Sequence, residues 1–202
     1  LRKWPHASGV KLRPDAVAID SGGHFTSEVY QYARERGRQN VIAIKGQSQR
    51  NKPAIGRPSK VDMNHKGRSL RKGALVYPVG SDTIKTTLFS RLKHNEPGPG
   101  YLHFNMSTTG EYFEQLTAEK QIVKHNRGGY AHREWVKKPN ARNESLDTLV
   151  YSYAALCSMY MRYDRRTIWE QFSKRLLNLA NPTQKKSLKS KQAPKQGYVH
   201  KW

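Results

Sequence analysis

Cysteine, acidic residues and long apolar runs are all scarce in this sequence of 202 residues. The single cysteine, Cys157, excludes an internal disulfide framework and a cysteine-based zinc finger, and it is typical of a reducing, intracellular setting. No apolar run approaches the roughly 18 residues of a transmembrane helix, so we expect no membrane contact. The chain begins at Leu1 without a signal-peptide pattern, which favours a fragment or a processed chain.

Basic residues greatly outnumber acidic ones. The chain has 37 Lys and Arg against 15 Asp and Glu, so its formal net charge is +22. Such an excess predicts a polyanionic partner, and nucleic acid is the polyanion that fits best. No Walker-type Gly-Lys-Ser or Gly-Lys-Thr occurs in the chain, which excludes a recognisable ATPase.

A strand–helix–strand unit is predicted near the start of the chain. Residues 16–20 and 41–44 are short apolar runs typical of buried strands, and 25–36 has the apolar spacing of a helix. This order predicts an α/β fold with parallel strands. Residues 45–72 hold nine Lys or Arg against one acid, Asp62, and are predicted as a loop outside the core.

The second half of the chain has further signals. An edge strand is predicted at 75–79 because it contains Pro78, and a hairpin at 120–136 around Gly128 and Gly129. A long helix is predicted to begin after Asn143, because apolar residues then recur every three or four positions. Residues 181–202 are rich in lysine and without acids, and are predicted as a disordered tail.

Three acids stand where chemistry could occur. Asp20 follows a buried strand and precedes two glycines, which suits a ligand site at a strand end or a turn that caps the next helix. Asp147 lies in the first turn of the long helix, where an acid also stabilises the helix dipole. Asp82 stands one helical turn before Lys85, and the alternative for that pair is a helix cap with a weak surface ion pair.

Carboxylates are the ligands that Mg²⁺ and Mn²⁺ prefer, and two such ions can promote phosphodiester hydrolysis. His24 lies near Asp20 in the sequence and could contact the same site, although a surface histidine is the commoner case. Glu144 stands early in the long helix and is explained more simply by the helix dipole.

Six short blocks, in order, resemble the nuclease part of phage terminase large subunits of the lambda-like type. Together they span roughly residues 7–160. They are DSGGH at 20–24, VIAIKG at 41–46, VGSDTIK at 79–85, LTAE at 116–119, RNESLD at 142–147 and VYSYAAL at 150–156.

The resemblance implies an RNase H-like nuclease that cuts concatemeric double-stranded viral DNA during packaging, in the cytoplasm of the host cell. It implies that Asp20, Asp147 and Lys85 are catalytic, and that Asp20 and Asp147 bind Mg²⁺ or Mn²⁺, as two ions, with Asp82 a weaker candidate ligand and His24 and Glu144 auxiliary. It also implies a terminase small subunit and a portal as partners. In that family an ATPase motor precedes the nuclease, and the motor is absent here.

One part of the family pattern is missing. The RNase H-like fold opens with a three-stranded antiparallel meander whose first strand carries the first metal-binding Asp, and nothing before Ala16 suits that meander. Either the sequence starts inside the nuclease domain, or another chain supplies the strands. Loss of one ligand from a two-ion site should weaken metal binding and cleavage strongly.

The sequence therefore predicts an α/β, RNase H-like mixed sheet flanked by helices in a domain of residues 1–180. Its core is expected at 14–46 and 139–163, with a large basic insertion at 46–138. We expect the basic segment to hold duplex DNA through its phosphates without reading its sequence. The residues concerned are Lys45, Arg50, Lys52, Arg57, Lys60, Lys66, Arg68, Arg71 and Lys72. The alternatives are a non-catalytic basic module that binds DNA or RNA, and another RNase H-like nuclease such as a transposase or resolvase.

Overall fold

A mixed four-stranded sheet with helices packed on both faces organises residues 15–161. The computed structural model describes residues 1–47, 49–65 and 67–180. Its strands are β1 (Trp4–Pro5), β2 (Lys11–Leu12), β3 (Val17–Asp20), β4 (Val41–Gln47), β5 (Ser59–His65), β6 (Arg68–Gly80), β7 (Glu119–His125) and β8 (Ala131–Lys137). Its helices are α1 (Thr26–Glu35), α2 (Ser81–Arg91), α3 (Gly110–Leu116), α4 (Glu144–Met159) and α5 (Ile168–Ala180), with a 3₁₀ turn at Gly37–Gln39.

The predicted strand–helix–strand unit is confirmed as β3–α1–β4. The two strands pair in parallel from Val17 opposite Val41 to Asp20 opposite Ile44. α1 crosses between them and buries Ala33 against the sheet. The chain then turns into β4 at Asn40, whose φ of 58° is left-handed, a conformation that asparagine tolerates better than most residues.

The strand order β3-β4-β6-β5 brings three carboxyl ends to one edge of the sheet. β3, β4 and β6 are parallel neighbours, and β5 closes the other side as the antiparallel partner of β6. We call the edge where β3, β4 and β6 end the carboxyl edge. In open α/β sheets, ligands bind at that edge.

The expectation of a loop throughout 45–72 is wrong. β5 and the start of β6 form a hairpin there, and Met63 is buried at 4% exposure. Val61 and Met63 face the protein, whereas Lys60 and Asp62 face solvent. Side chains therefore alternate between core and solvent along the strand, but the charged residues hide this alternation in the sequence. Pro78 lies in a strand with partners on both sides, although the β5 ladder ends at Val76, before the proline.

The core of this unit lies on the two faces of β4. Ile42 and Ile44 point toward α2, α3 and α4, and Val41 and Ala43 point toward α1. The range 46–138, predicted as an insertion, contributes several of the most buried side chains. These are Val79, Ile84, Leu88 and Leu116. The predicted long helix is confirmed as α4, which buries Leu146, Val150 and Ala154.

A two-stranded ribbon of β7 and β8 begins at Glu119 and turns at Gly129, where φ is 78°. It confirms the predicted hairpin. Of the described residues, 1–14 and 162–180 belong to the second compact unit. Its described part has the short β1–β2 ladder and α5, where Phe172 packs against Tyr163 and Trp169.

No helix among the described residues is long and apolar enough to cross a membrane. Before β3 the described chain has only the two-residue strands β1 and β2, which are too short to form a three-stranded meander. The predicted tail at 181–202 lies outside the described residues, and its disorder stays a prediction.

Candidate active site

Asp20 is the last residue of β3, on the carboxyl edge, and its side chain is exposed. Its Oδ1 accepts the backbone N–H of Gly22 at 3.0 Å, and its Oδ2 accepts the hydroxyl of Tyr151 at 3.3 Å. A Cβ at position 22 would lie 3.3 Å from Oδ1, so glycine leaves room beside the carboxylate. The bond to Gly22 forms a local turn, and the bond to Tyr151 ties Asp20 to α4.

Asp147 is half-buried in the first turn of α4. Burial is the main cause that raises the pKa of its carboxyl, and the positive charge of Lys85 opposes that rise. Three further carboxylates raise the pKa by repulsion, and they belong to Glu119, Glu144 and Asp20. The contribution of Asp20 is the smallest of the three, and it comes from an acid that is far from Asp147 in the chain.

The hydroxyl of Tyr151 is affected by the charges of both acids. It follows Asp147 by four residues, so both side chains project from one side of α4. Burial raises the pKa of its hydroxyl far above the ordinary value, and the charges of Asp20 and Asp147 raise it further. The hydroxyl therefore stays protonated and donates to Asp20. The sequence analysis did not predict this contact.

A buried ion pair joins Lys85 of α2 to Glu119, the first residue of β7. Lys85 Nζ donates to both carboxylate oxygens of Glu119, each at 2.7 Å. The side chains are only 13% and 6% exposed. Sequence reasoning named Lys85 and not Glu119, although Glu119 ends one of the family-like blocks.

Asn143 connects that ion pair to Asp147. Its side-chain Nδ2 donates to Glu119 Oε1 at 2.9 Å and to Asp147 Oδ2 at 3.1 Å. Lys85, Glu119, Asn143 and Asp147 thus form one continuous hydrogen-bonded chain of side chains. Asn143 was predicted only as the residue after which the long helix begins, so this role was also missed.

A cleft of about 390 Å³ opens beside the ion pair. Its walls come from the start of α2, the base of the β7–β8 ribbon and the segment after β4. They include Ser81, Asp82, Lys85, Arg50, Arg133 and Trp135. Asp82 therefore lies beside Lys85 at the mouth of the cleft.

The remaining predicted residues are more scattered. His24 is exposed in the turn before α1. In the described part of the chain, no hydrogen bond joins it to Asp20. Glu144 is exposed and acts on Asp147 only through its charge.

The basic residues predicted to bind DNA lie in two places. Lys45, Arg50 and Arg57 are exposed on segments next to the carboxyl edge. Arg68 and Arg71 are exposed at the opposite end of β6. Lys66 lies outside the described residues.

The described residues contain no group of three or more His, Cys, Asp or Glu side chains arranged to hold a metal ion. Asp20 and Asp147 are a pair of hard oxygen donors, and Glu119 is already engaged by Lys85. The arrangement offers two carboxylates, Asp20 and Asp147, and a cleft whose walls carry both cations and acids. A divalent cation between the two acids would relieve their repulsion.

Comparison with known proteins shows what the chain is similar to. Residues 1–169 match the family model described as terminase large subunit gpA, endonuclease domain. The large terminase subunit of Escherichia phage lambda is 32% identical over 162 residues, which covers 77% of this chain and 24% of that protein. The large terminase subunit of Enterobacteria phage P21 is 34% identical over 165 residues, with the same coverage.

The chain thus spans about a quarter of the length of these curated relatives. No solved structure gives a significant match.

Proposed function

The chain belongs to the terminase large subunit gpA endonuclease family, and on that premise we propose that it is a metal-dependent endonuclease that cuts concatemeric double-stranded DNA during viral packaging. The observation that carries the proposal is the hydrogen bond from Tyr151 of α4 to Asp20 at the end of β3. Asp147 lies one turn before Tyr151 on the same helix, and in α/β sheets ligands bind at the carboxyl edge where Asp20 stands.

Asp20 and Asp147 are the residues that would hold Mg²⁺ or Mn²⁺. Their carboxylates suit these hard cations, and the mutual repulsion that raises the pKa of Asp147 would fall when a cation binds. A bound divalent ion supplies Lewis acidity, which activates water and stabilises charge that develops on a phosphate. Two ions need more ligands than this pair provides, so the proposal includes a further carboxylate, either from strands that precede this sequence in a longer protein or from strands of another chain.

Lys85 is proposed to bind the phosphate of the DNA strand that enters the cleft. An ammonium group has three N–H donors, and Glu119 accepts from Lys85 through both of its oxygens. One donor then remains for a phosphate oxygen while the ion pair stays intact. Glu119 therefore fixes the position of the lysine beside the cleft.

The basic residues near the carboxyl edge are proposed to hold the duplex over the site. Lys45, Arg50 and Arg57 are exposed there, and Arg50 lines the cleft itself. Arg68 lies twelve residues before Gly80 along β6, about 40 Å away at 3.3 Å per residue, so Arg68 and Arg71 would contact DNA about one helical turn from the site. Phosphate contacts of this kind position a duplex without reading its sequence.

We also propose that the sheet is of the RNase H-like type, on the evidence of its mixed order and the acid at the end of β3. The proposed partners are a terminase small subunit and a portal, and the proposed location is the cytoplasm of the infected host cell. These proposals follow from family membership.

Plasmid cleavage with Mn²⁺ tests the proposed activity. The parent should nick and linearise a supercoiled plasmid, and Asp20→Ala and Asp147→Ala should lose that activity while they keep their affinity for DNA. Glu96→Gln is the matched control, because it removes a negative charge from an exposed loop.

Cleavage by both alanine variants at the rate of the parent would exclude this site. If the parent itself binds DNA but never cuts, the alternative of a non-catalytic binding module stands. Strand transfer in place of simple hydrolysis would favour a transposase-like enzyme.

A further inference from the structure

Asn143 occupies the position that precedes the first residue of α4, where asparagine ordinarily caps a helix with its side chain. Its backbone does begin the helix, since its carbonyl accepts the N–H of Asp147 at 3.0 Å. The side chain, however, makes no capping hydrogen bond. An asparagine that stands at a cap position without capping needs another explanation.

Gln115 of α3 performs the capping instead. Its Oε1 accepts both the backbone N–H and the hydroxyl of Ser145, each at 3.3 Å. Ser145 is the second residue of α4, and its N–H is one of those that a cap residue normally satisfies. The side chain of Asn143 is thus released from the helix terminus.

The released amide points at two carboxylates. Its nitrogen lies 2.9 Å from Glu119 Oε1 and 3.1 Å from Asp147 Oδ2. Ionised carboxylates only accept hydrogen bonds, so the amide nitrogen and not its oxygen must face them. The two hydrogens of this one group suffice for the two acceptors.

We propose that Asn143 is a positioning residue, whose side-chain amide holds the carboxylates of Glu119 and Asp147 in fixed orientation at the site. The inference deepens the proposed nuclease function and rests on it. One bond fixes Asp147 Oδ2 and thereby the direction of its second oxygen. The other fixes Glu119, which in turn holds Lys85.

The two roles of an asparagine at this position are separable by substitution. Serine caps helices about as well as asparagine, yet its side chain is too short to bridge the two acids. In Asn143→Ser, a capping role predicts no change, whereas a positioning role predicts a disturbed site. Gln115→Ala is the matched control, because it removes the observed cap and leaves the bridge in place.

The first readout is the ¹H–¹⁵N signal of the Lys85 ammonium in metal-free protein. A buried, hydrogen-bonded ammonium gives a resolved signal that reports its ion pair with Glu119. Asn143→Ser should shift or broaden this signal, while Gln115→Ala should lower the melting temperature and leave the signal in place.

The second readout is Mn²⁺ affinity by calorimetry, which should fall about 10- to 100-fold in Asn143→Ser, as is typical when a ligand loses its supporting hydrogen bond. In Gln115→Ala it should stay within about twofold of the parent, because that variant keeps the bridge.

A measurement on the parent alone covers the case that Asn143→Ser does not fold. The side-chain amide protons of Asn143 should exchange with solvent much more slowly than those of Asn105, which stands in an exposed turn. Equal exchange rates at the two asparagines would overturn the proposal, and so would a Lys85 signal unchanged in Asn143→Ser. If instead Asp147→Ala leaves Mn²⁺ affinity unaltered, the proposed nuclease site fails, and the metal-free signals still decide the role of Asn143.

Discussion

Asp147 shows how a proposed metal ligand reduces the stability of the fold that holds it. The pKa of its carboxyl is raised above the ordinary value of 3.8, chiefly by burial, so the folded protein binds this proton more tightly than the unfolded chain does. Ionisation therefore costs folding free energy at neutral pH. Below pH 3.8 both states are protonated and that cost disappears.

We expect Asp147→Asn to raise the free energy of unfolding at pH 7 in metal-free buffer. The amide oxygen of the substituted side chain can still accept from Asn143, so the change removes a charge and keeps the shape. The gain should shrink as the pH falls toward 3.8, because the parent then becomes protonated too. Urea unfolding at several pH values between 4 and 7 measures this, and a gain independent of pH would show that ionisation of Asp147 is not its source.

The ion pair of Lys85 and Glu119 has a structural role in addition to the function proposed for Lys85. Lys85→Ala leaves the carboxylate of Glu119 buried without its charged partner, which typically costs about 3–5 kcal/mol. Loss of cleavage in that variant alone would then say little about catalysis.

A double-mutant cycle separates the two roles. We expect Lys85→Met with Glu119→Gln to be more stable than the sum of the single changes predicts, because no buried charge is left without a partner. The double variant should still fail to cut DNA, since it lacks the ammonium group that is proposed to bind the phosphate. Urea unfolding of the four proteins gives the coupling energy, and strict additivity would mean that the pair contributes nothing to folding.

At the scale of elements, the sequence was most informative where a pattern is local. β3, α1, β4 and α4 follow from apolar spacing, and so does the hairpin of β7 and β8. β5 was missed because a solvent-facing strand can carry charges on every second residue, and Lys60 and Asp62 conceal Val61 and Met63. Glu119, Asn143 and Tyr151 were missed because their contacts join elements that only tertiary packing brings together.

Gly80 controls how β6 passes into α2, the helix that carries Lys85. A Cβ at this position would lie 2.5 Å from the carbonyl oxygen of Lys52 and 2.6 Å from that of Pro53. Both are backbone atoms, and the same segment accepts hydrogen bonds from Gly80 N and Thr83 Oγ1. A side chain must therefore displace the backbone that anchors the start of α2.

We expect Gly80→Ala to destabilise the protein by about 1–3 kcal/mol, the usual cost of forcing extra atoms into a packed site. Gly110→Ala is the matched control, because nothing lies within 4 Å of its Cβ position and alanine at an unstrained site stabilises by about 0.4–1 kcal/mol. Thermal melts of both variants test the contrast. Equal shifts would mean that the close approach at Gly80 is relieved without strain.

At the scale of the whole molecule, the net charge of +22 dominates. Charge alone predicted a polyanion and could not separate a nuclease from a passive binder. What distinguishes them is where cations and acids lie relative to each other. Arg50 and Lys85 line one cleft, and Asp20 accepts a hydrogen bond from Tyr151, which lies one turn after Asp147 on α4.

The position of the arginines predicts which of them contribute to DNA binding over the site. Each phosphate contact that is lost reduces the salt slope of DNA binding by about 0.9. Arg50→Ala with Arg57→Ala should therefore reduce the slope of log K against log salt by up to about 1.8.

The matched control, Arg34→Ala with Arg38→Ala, removes the same charge from α1 and the turn after it. Because α1 covers the sheet face opposite α2 and α4, that pair should change the slope little. Fluorescence anisotropy with a labelled duplex of about 40 base pairs, at salt concentrations from about 50 to 200 mM, gives both slopes. Equal reductions in the two double variants would mean that the duplex responds to total charge, with no preferred path across the carboxyl edge.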